Sequence, residues 1–466
     1  MDTLLESGEV QDFLSRIVTV GRPASAEMAL EAVHERLASV DIEPGRPVLV
    51  AMPNGPELLA LTFALLRLGA VPTLIPPSSP AARTREMARR MGAGALLAPR
   101  LAAERYGAER PRPIGYSAEA LVLPTECTER FEPGEMILMT SGTSGIFSGC
   151  VHHIDALMRN ADRHAQAVGQ RPGDTVLVNL PLHYSYAFVA QGLSALVRRN
   201  SLVVSGPPFT PQSYRTAIRE YGVTVSSLTP ALIKVLMKDS TDRLPGCLRT
   251  LTVGGDQLEP RYVKDLLEQN PELELYVTYG LTEAGPRVAT LAAHAEPQRR
   301  HASVGLPLHG VRTSLRRNHP EDPWGELIVE TDTVLRRKVG TQDNGERTGG
   351  GAASGRISTG DLFDIDDDGY LYFKGRTSDF LVIRGDKVSL PSVRRIAGSI
   401  PGVVRASTRV YEEERGDVRF DLDVHVHGPD AVDPDWIRKQ LHAQLLRSER
   451  PRRIVVHADL ETEWHK

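Results

Sequence analysis

An apolar run that ends abruptly in glycine and hydroxyl residues constrains this chain more than any other feature. Residues 136–139 read Met-Ile-Leu-Met, and residues 140–145 read Thr-Ser-Gly-Thr-Ser-Gly. A short apolar run of this kind indicates a buried strand. The six residues after it predict a loop whose backbone N–H groups and hydroxyls surround an anion such as phosphate. A plain Ser/Gly surface turn is the alternative, because such turns are frequent at strand ends.

Length and charge limit the class of protein. A chain of 466 residues exceeds what one core normally supports, so we expect two or more domains. The net charge is only −4 and no long basic run occurs, which argues against nucleic acid as a partner.

The cysteines and the apolar segments bear on the compartment. Cys127, Cys150 and Cys247 are odd in number and widely spaced, which fits a reducing cytoplasm and neither a disulfide framework nor a metal site. The N-terminus lacks an apolar signal core, and no stretch of about 18 apolar residues occurs. We therefore expect a cytoplasmic protein without a membrane partner.

Strands and helices alternate through most of the chain. Residues 47–52 predict a strand, 57–68 a helix and 71–75 a second strand. Such alternation is typical of an α/β layer with parallel strands. Further apolar strands are predicted past the central loop at residues 175–181, 223–230, 248–253 and 275–279.

The pattern changes after about residue 301. Short strands with turns predict a β-rich subdomain, and residues 340–355 are so poor in apolar side chains that a mobile loop is expected. The last part of the chain returns to a globular α+β composition. The predicted fold is a large N-terminal domain of α/β layers with a β-rich subdomain, residues 1–375, and a small C-terminal α+β domain, residues 379–466, on a hinge.

Polar and glycine residues follow several of the predicted strands. Gly254-Gly255-Asp256 ends one strand, and Gly280 with Thr282 and Glu283 ends the next. Ligands of open α/β sheets bind outside the carboxyl ends of the strands, so these loops are expected to converge on one crevice. The aromatic cluster at residues 183–188 lines a pocket there or packs in the core.

The order and spacing of these motifs resemble the adenylate-forming superfamily of acyl- and aryl-CoA synthetases, nonribosomal peptide adenylation domains and luciferases. The resemblance covers nearly the whole chain from about residue 30. It rests on six motifs: Thr140–Gly145, Gly254-Gly255-Asp256, Tyr279-Gly280-Leu281-Thr282-Glu283, Ser303-Val304-Gly305-Leu306-Pro307, Ser358-Thr359-Gly360-Asp361 and Gly375-Arg376. One such motif is weak support, but six in the family's order are strong.

The resemblance implies ATP-dependent activation of a carboxylic acid as an acyl-adenylate, with pyrophosphate release. An acid and ATP repel each other, so donors and cations must offset the gathered negative charge. In the family's pattern, Thr282 contacts the α-phosphate and Glu283 holds Mg²⁺ through its carboxylate. The implied phosphate loop consists of Thr140, Ser141, Gly142, Thr143, Ser144 and Gly145.

The remaining nucleotide and acid contacts are also implied by the resemblance. Tyr279 would lie against adenine, near Gly254, Gly255, Asp256 and Gly280. Asp361 would accept the ribose hydroxyls, and Arg376 would donate to the ribose or to a phosphate. The acid would lie beside Tyr184 and Ser185, where a short aromatic wall predicts a small or aromatic acid rather than a long fatty chain.

The chain departs from the family at three positions and at its end. Phe147-Ser148-Gly149 replaces Pro-Lys-Gly, so the phosphate loop lacks a nearby cation. The hinge position is Ser378, and residues 392–395 lack the family's acidic motif. Lys466 keeps the Thr-to-Lys spacing of the family's catalytic lysine, but it is the final residue and follows His465 rather than Gly.

The departures at the hinge bear mainly on the second half-reaction, because the family swings its small domain to bring in the acceptor thiol. CoA, a carrier-protein thiol and an amine remain open as acceptors. Two other interpretations also remain open. One is an enzyme of the same fold that activates a non-carboxylate oxyanion, and the other is a non-catalytic nucleotide-binding relative.

Overall fold

The chain is described by a computed structural model that covers residues 8–22, 29–115, 117–126, 129–140, 148–238, 243–317, 319, 321–340, 355–377, 380–383, 386–412, 418–427, 433–445 and 449–459. It divides into two compact units. The first comprises residues 1–314, 328–359 and 365–372, and the second comprises residues 315–327, 360–364 and 373–466.

Two eight-stranded sheets form the frame of the first unit. The first sheet runs, in spatial order, β1 (Ile17–Thr19), β10 (Ser201–Val204), β9 (Thr175–Val178), β11 (Val225–Leu228), β12 (Thr250–Val253), β13 (Glu274–Gly280), β14 (Arg287–Ala292) and β15 (Leu306–Pro307). Its strands are parallel from β1 to β13, and β14 and β15 add antiparallel pairs at one edge.

The second sheet carries the apolar run at which the sequence analysis began. Its order is β18 (Arg337–Val339), β8 (Gly149–His153), β7 (Glu135–Met139), β3 (Val71–Leu74), β2 (Pro47–Val50), β4 (Ala95–Ala98), β6 (Ala118–Val122) and β5 (Arg112–Gly115). β7 is parallel to β3 and antiparallel to β8, so the chain leaves β7 through the glycine-rich segment and returns beside it.

Helices fill the space between and outside these two sheets. They are α1 (Gly8–Ser15), α2 (Leu30–Ala38), α3 (Pro56–Arg67), α4 (Ala81–Met91), α5 (Ile154–Ala167), α6 (Ser185–Ala187), α7 (Ser194–Val197), α8 (Pro211–Glu220), α9 (Pro230–Lys238) and α10 (Pro260–Gln269). A π-helical segment, Phe188–Leu193, joins α6 to α7.

Alternation along the strands decides which core each residue joins. Val48 and Val50 of β2 pack with α3 and with Val176 of β9 in a core shared by both sheets. Leu49, which points the other way, packs with α4. Because successive strand residues face opposite sides, a strand buried on both faces reads as an unbroken apolar run. The layers are therefore helix, sheet, helix, sheet, helix, which confirms the predicted α/β class.

The four-stranded sheet that follows in the chain has the order β16 (Arg312–Arg316), β17 (Gly325–Glu330), β19 (Arg356–Ile365) and β20 (Leu371–Arg376). The second unit contains the hairpin β21 (Phe380–Ile383) and β22 (Asp386–Ser389), α11 (Leu390–Gly398), β23 (Val403–Glu412), β24 (Val418–His427), α12 (Pro434–Gln444) and β25 (Ile454–Asp459). Val393 of α11, Phe420 of β24 and Ile437 of α12 share its core.

Most predicted elements are present, with ends moved by a few residues. The strand predicted at residues 175–181 ends at Val178. The aromatic cluster at residues 183–188 leads into the π-helical segment. Residues 341–354, where a mobile loop was predicted, lie outside the described residues. Within the described ranges, no helix is long and apolar enough to cross a membrane.

Candidate active site

The turn between β13 and β14 forms the centre of the candidate site. A short 3₁₀ helix, Thr282–Ala284, lies in it. Gly285 has φ +103°, and a Cβ there would lie 2.5 Å from the carbonyl oxygen of Thr333. Only glycine accepts both the left-handed backbone and the close approach. The turn therefore packs tightly against the chain at Thr333 and holds Thr282 and Glu283 at the carboxyl end of β13.

Thr282 is held from two other elements. Its hydroxyl lies 2.9 Å from the hydroxyl of Ser185, the first residue of α6. Its carbonyl oxygen accepts a hydrogen bond of 2.9 Å from Nε2 of His152 on β8. Ser185 and Thr282, predicted separately as acid-binding and phosphate-binding residues, are thus direct neighbours.

His152 was not predicted as part of the site. It is fully buried, and burial lowers the pKa of its imidazole to about 4. A carbonyl oxygen can only accept, so the bond to Thr282 places the proton of the neutral ring on Nε2. At neutral pH His152 therefore adds no charge and serves to position Thr282.

Glu283 makes an ion pair that the sequence did not predict. Nζ of Lys338 lies 2.8 Å from Oε1 of Glu283, and the two side chains are 32% and 24% exposed. Burial opposes the charge of Lys338, but the attraction and hydrogen bond of Glu283 outweigh it and raise the pKa of Lys338 above its usual value. Lys338 is therefore charged at neutral pH.

Lys338 reaches this position through strand pairing. It lies on β18 opposite Cys150 of β8, one residue beyond the Gly149–Val339 pair. The backbone N–H and the hydroxyl of Thr140 both donate to the carbonyl of Ser148, at 3.0 and 3.1 Å, and close the base of the predicted phosphate loop. The sequence analysis did not single out Lys338, which lies beside Glu283 because β18 pairs with β8.

Two glycines, Gly254 and Gly255, follow the last residue of β12. A Cβ on Gly254 would lie 2.4 Å from Oγ1 of Thr278 and 3.4 Å from Nη2 of Arg287, so no larger residue fits. Gly255 has φ +93° and is exposed. Asp256 is also exposed, and its carboxylate accepts from the N–H of Gln257. The backbone is therefore exposed at Gly255 and Asp256, whereas Gly254 is buried against Thr278.

Tyr184 and Tyr186, next to the predicted acid-binding residue Ser185, differ in exposure and in their contacts. Tyr184 is 41% exposed, and its ring centroid lies 4.4 Å from that of His183. Tyr186 is partly buried, and its hydroxyl lies 3.1 Å from that of Thr252. The ring of Tyr186 also lies against the guanidinium of Arg287, 4.5 Å from the ring centroid.

The predicted ribose-binding pair lies in the second unit. Nε of Arg376 is 3.3 Å from Oδ1 of Asp361, and the Asp361 side chain is 8% exposed while that of Arg376 is 57% exposed. The structure thus brings these two residues together. Ser141, Gly142, Thr143, Ser144, Gly145 and Lys466 lie outside the described residues. Tyr279 and Gly280, at the end of β13, are partly buried.

The donor set suits magnesium more than a tightly caged metal. In the described part of the chain, no three His, Cys, Asp or Glu side chains cluster as metal ligands. Mg²⁺ is normally held by one or two carboxylates together with substrate phosphates and waters. The single carboxylate of Glu283, beside the hydroxyl of Thr282, fits that pattern.

Comparison with known families and proteins gives a clear result. Residues 26–337 match the family model described as AMP-binding enzyme, which is more than half of the chain. The chain belongs to the AMP-binding enzyme family. This confirms the predicted family and, with it, the predicted class of AMP-forming ligase.

Relatives of the chain within the AMP-binding enzymes include CoA ligases. A 2-succinylbenzoate–CoA ligase of Bacillus cytotoxicus is 26% identical over 387 residues, 80% of this chain and 77% of that protein. The long-chain-fatty-acid–CoA ligase FadD13 of Mycobacterium tuberculosis is 25% identical over 448 residues, 90% of this chain and 86% of that protein.

Solved structures of two such proteins share the fold. The o-succinylbenzoate CoA synthetase of Bacillus subtilis, in complex with its acyl-adenylate OSB-AMP, has a TM-score of 0.80 and 20% identity, with 97% of this chain and 95% of that chain covered. The amide bond synthetase McbA of Marinactinospora thermotolerans has a TM-score of 0.74 and 20% identity, with 97% and 95% covered.

Proposed function

We propose that this AMP-binding enzyme activates a small or aromatic carboxylic acid with ATP and transfers the acyl group to CoA. In the first step the acid's carboxylate oxygen forms a bond to the α-phosphorus, the bond to the leaving phosphate oxygen breaks, and pyrophosphate departs. In the second step the thiolate sulfur of CoA bonds to the acyl carbon, and AMP leaves. The observation that carries this proposal is the contact of Ser185, Thr282, Glu283 and Lys338 at one strand end.

Each of these residues has a role in the proposal. Thr282 donates its hydroxyl to the α-phosphate, and Ser185 fixes that hydroxyl from the acid side. Glu283 holds Mg²⁺, which neutralises phosphate charge when bound. Lys338 supplies the cation that the loop lacks at Ser148. Preorganised charge of this kind is usually the largest contribution to such a transfer.

The nucleotide residues of the family pattern complete the proposal. Thr140 and Ser141 to Gly145 bind the phosphates, and Gly254, Gly255, Asp256, Tyr279 and Gly280 surround the adenine. Asp361 and Arg376 bind the ribose. We also propose residues 1–375 and 379–466 as the functional domains, with the hinge near Ser378.

Lys466 is proposed as the lysine that bridges the two substrates during adenylation. A chain lacking Lys466 should adenylate the acid about 10²–10³-fold more slowly, the usual loss for one transition-state charge contact. An unchanged rate would exclude this role.

The direct test is acid-dependent exchange of labelled pyrophosphate into ATP, across a panel of small, aromatic and long-chain acids. Exchange with small or aromatic acids is expected, and preference for long chains would contradict the substrate class. Mass spectrometry with CoA, a carrier protein or an amine then identifies the acceptor. A chain that binds ATP but exchanges with no acid would favour the non-catalytic relative.

A further inference from the structure

Arg287 is a buried cation for which the described residues provide no counter-ion. It is 2% exposed, and its Nε and Nη2 have no hydrogen-bond partner among the residues that the structure describes. No carboxylate in the described part of the chain forms an ion pair with it. Burial lowers the pKa of Arg287, as expected for a charge removed from water without compensation.

The backbone of Arg287 is fixed in place. Its N–H donates to Oδ1 of Asn160 at 2.9 Å, and its carbonyl accepts from Nδ2 of the same residue at 2.9 Å. Arg287 is also the strand partner of Gly280, at the end of β13. The guanidinium therefore starts from the same strand ends as the candidate site, beside Gly254.

The neighbours of the guanidinium are neutral. Tyr186 lies against one face, and Gly254 presents no side chain. Burial, with a further contribution from Arg287, lowers the pKa of His164 well below its usual value, so that imidazole is neutral. A buried charge without a partner lowers the stability of the folded protein. Its presence next to the acid wall requires an explanation.

We propose that Arg287 binds a second carboxylate of the acid substrate, so that the enzyme prefers dicarboxylic acids. This inference rests on the proposed function above. One carboxylate reacts beside Ser185 and Thr282, while the other accepts hydrogen bonds from the guanidinium, whose planar donors match a carboxylate. Because Arg287 is enclosed, the side chains around it must move aside when the acid binds. The fixed positive charge then favours acids that carry a second carboxylate.

The test compares matched acids in pyrophosphate exchange. The pairs are homophthalate with phenylacetate, and linear diacids from succinate to suberate with monoacids of equal length. In at least one pair the wild type should prefer the diacid by about 100-fold in kcat/KM, the scale expected when a buried polar group loses its hydrogen-bond partner. In Arg287→Met that ratio should fall toward one, and Arg287→Lys should keep part of it.

Arg261→Met is the matched control. Arg261 also stacks on a tyrosine, 4.9 Å from the ring centroid of Tyr262, but it is exposed and outside the candidate site. This variant should keep the diacid preference. Equal use of mono- and diacids by the wild type, or an unchanged ratio in Arg287→Met, would overturn the proposal.

Two binding measurements separate this proposal from its alternatives. ATP affinity without acid, measured by calorimetry, should change less than threefold in Arg287→Met, and a tenfold loss would assign Arg287 to a phosphate instead. If no acid supports exchange, the proposed function fails. The Arg287 site is then judged by whether the diacids raise the unfolding temperature of the wild type but not of Arg287→Met.

Discussion

The charged side chains at the two ends of the first sheet differ in how well they are paired. At the amino ends of its strands, Arg249 donates to Asp174 and to Glu274, each at 2.7 Å. Thr224 donates to the same aspartate at 2.8 Å. At the carboxyl ends, Arg287 has no ion-pair partner in the described ranges, and Glu283 faces Lys338 beside open backbone.

This difference separates stability from function within one sheet. A satisfied network holds strands together, whereas charges left unpaired or exposed reduce stability and persist where a ligand completes them. Mutations at the amino ends should therefore change the free energy of unfolding, and mutations at the carboxyl ends should change catalysis.

The largest effect is expected at the carboxyl ends, from Glu283→Gln. The amide keeps the shape but loses the charge that would hold Mg²⁺, so exchange should fall about 1,000-fold, as for other key electrostatic contacts. The apparent Mg²⁺ requirement should also rise. Glu268→Gln, at an exposed position of α10, serves as the control. A rate within threefold of the wild type would remove Glu283 from the site.

At the amino ends, Arg249→Met should lower the free energy of unfolding by about 3 kcal/mol, because it leaves the buried carboxylate of Asp174 without its cation and removes the nearer of the two arginines that contact Glu274. Urea unfolding measures this, and exchange activity should stay near that of the wild type. Arg171→Met is the control, since Arg171 is 65% exposed and contacts the same Glu274 at 3.5 Å. Its effect should stay below about 1 kcal/mol. Equal effects of both variants would contradict the comparison.

Lys338→Met tests the cation at the carboxyl ends. Loss of a half-buried charge facing Glu283 should slow exchange about 30-fold, roughly 2 kcal/mol. Adding Ser148→Lys, which returns a lysine to the loop, should recover part of the loss. Lys264→Met, on α10, is the control for removing a paired lysine elsewhere. A Lys338→Met enzyme with a normal rate would show that the loop works without this cation.

The smallest expected effect is on the pH dependence of the free energy of unfolding. The pKa of His152 is about 4 in the folded protein and about 6.5 when unfolded, so the unfolded chain binds the proton first as the pH falls. The contribution of neutral, buried His152 to the free energy of unfolding is fully present above pH 6.5. It is lost as the pH falls from 6.5 toward 4. Between pH 7 and 5.5 this should amount to about 1 kcal/mol.

His152→Gln should remove that part of the pH dependence, because glutamine can still donate to Thr282 and does not titrate. Urea unfolding at both pH values measures the difference. His442→Gln, at an exposed position of α12, should leave the dependence unchanged. A pH dependence that survives in His152→Gln would assign the effect to other buried histidines such as His164.

The sequence predicted the parts of the site that local pattern encodes. Strand ends rich in glycine and hydroxyls identified Gly254, Thr282 and Glu283, because the carboxyl ends of parallel strands meet at one edge. It did not predict the partners. Lys338 follows two arginines in a run that reads as a solvated charged surface, and only the pairing of β18 with β8 brings it to Glu283.

Arg287 and His152 were missed for a similar reason. Arg287 begins a strand of mostly apolar residues and His152 precedes His153 at the end of another, so neither residue gives a periodic signal. To place these residues in the site, one must know which strands are neighbours in the sheets. That order depends on connections between distant parts of the chain, which local sequence does not reveal. The lone arginine at the start of β14, just after Thr-Glu, was the one local feature that could have drawn attention.

The π-helical segment Phe188–Leu193 determines how Ser185 and Tyr186, on the proposed acid-binding side, are oriented relative to α7. Its hydrogen bonds span one residue more than those of an α-helix, so the segment holds an extra residue. Each residue turns an α-helix by about 100°. Removing one residue here would re-phase Ser185 and Tyr186 relative to α7. A single-codon deletion in this segment would thus reorient the proposed acid-binding side chains without replacing any of them.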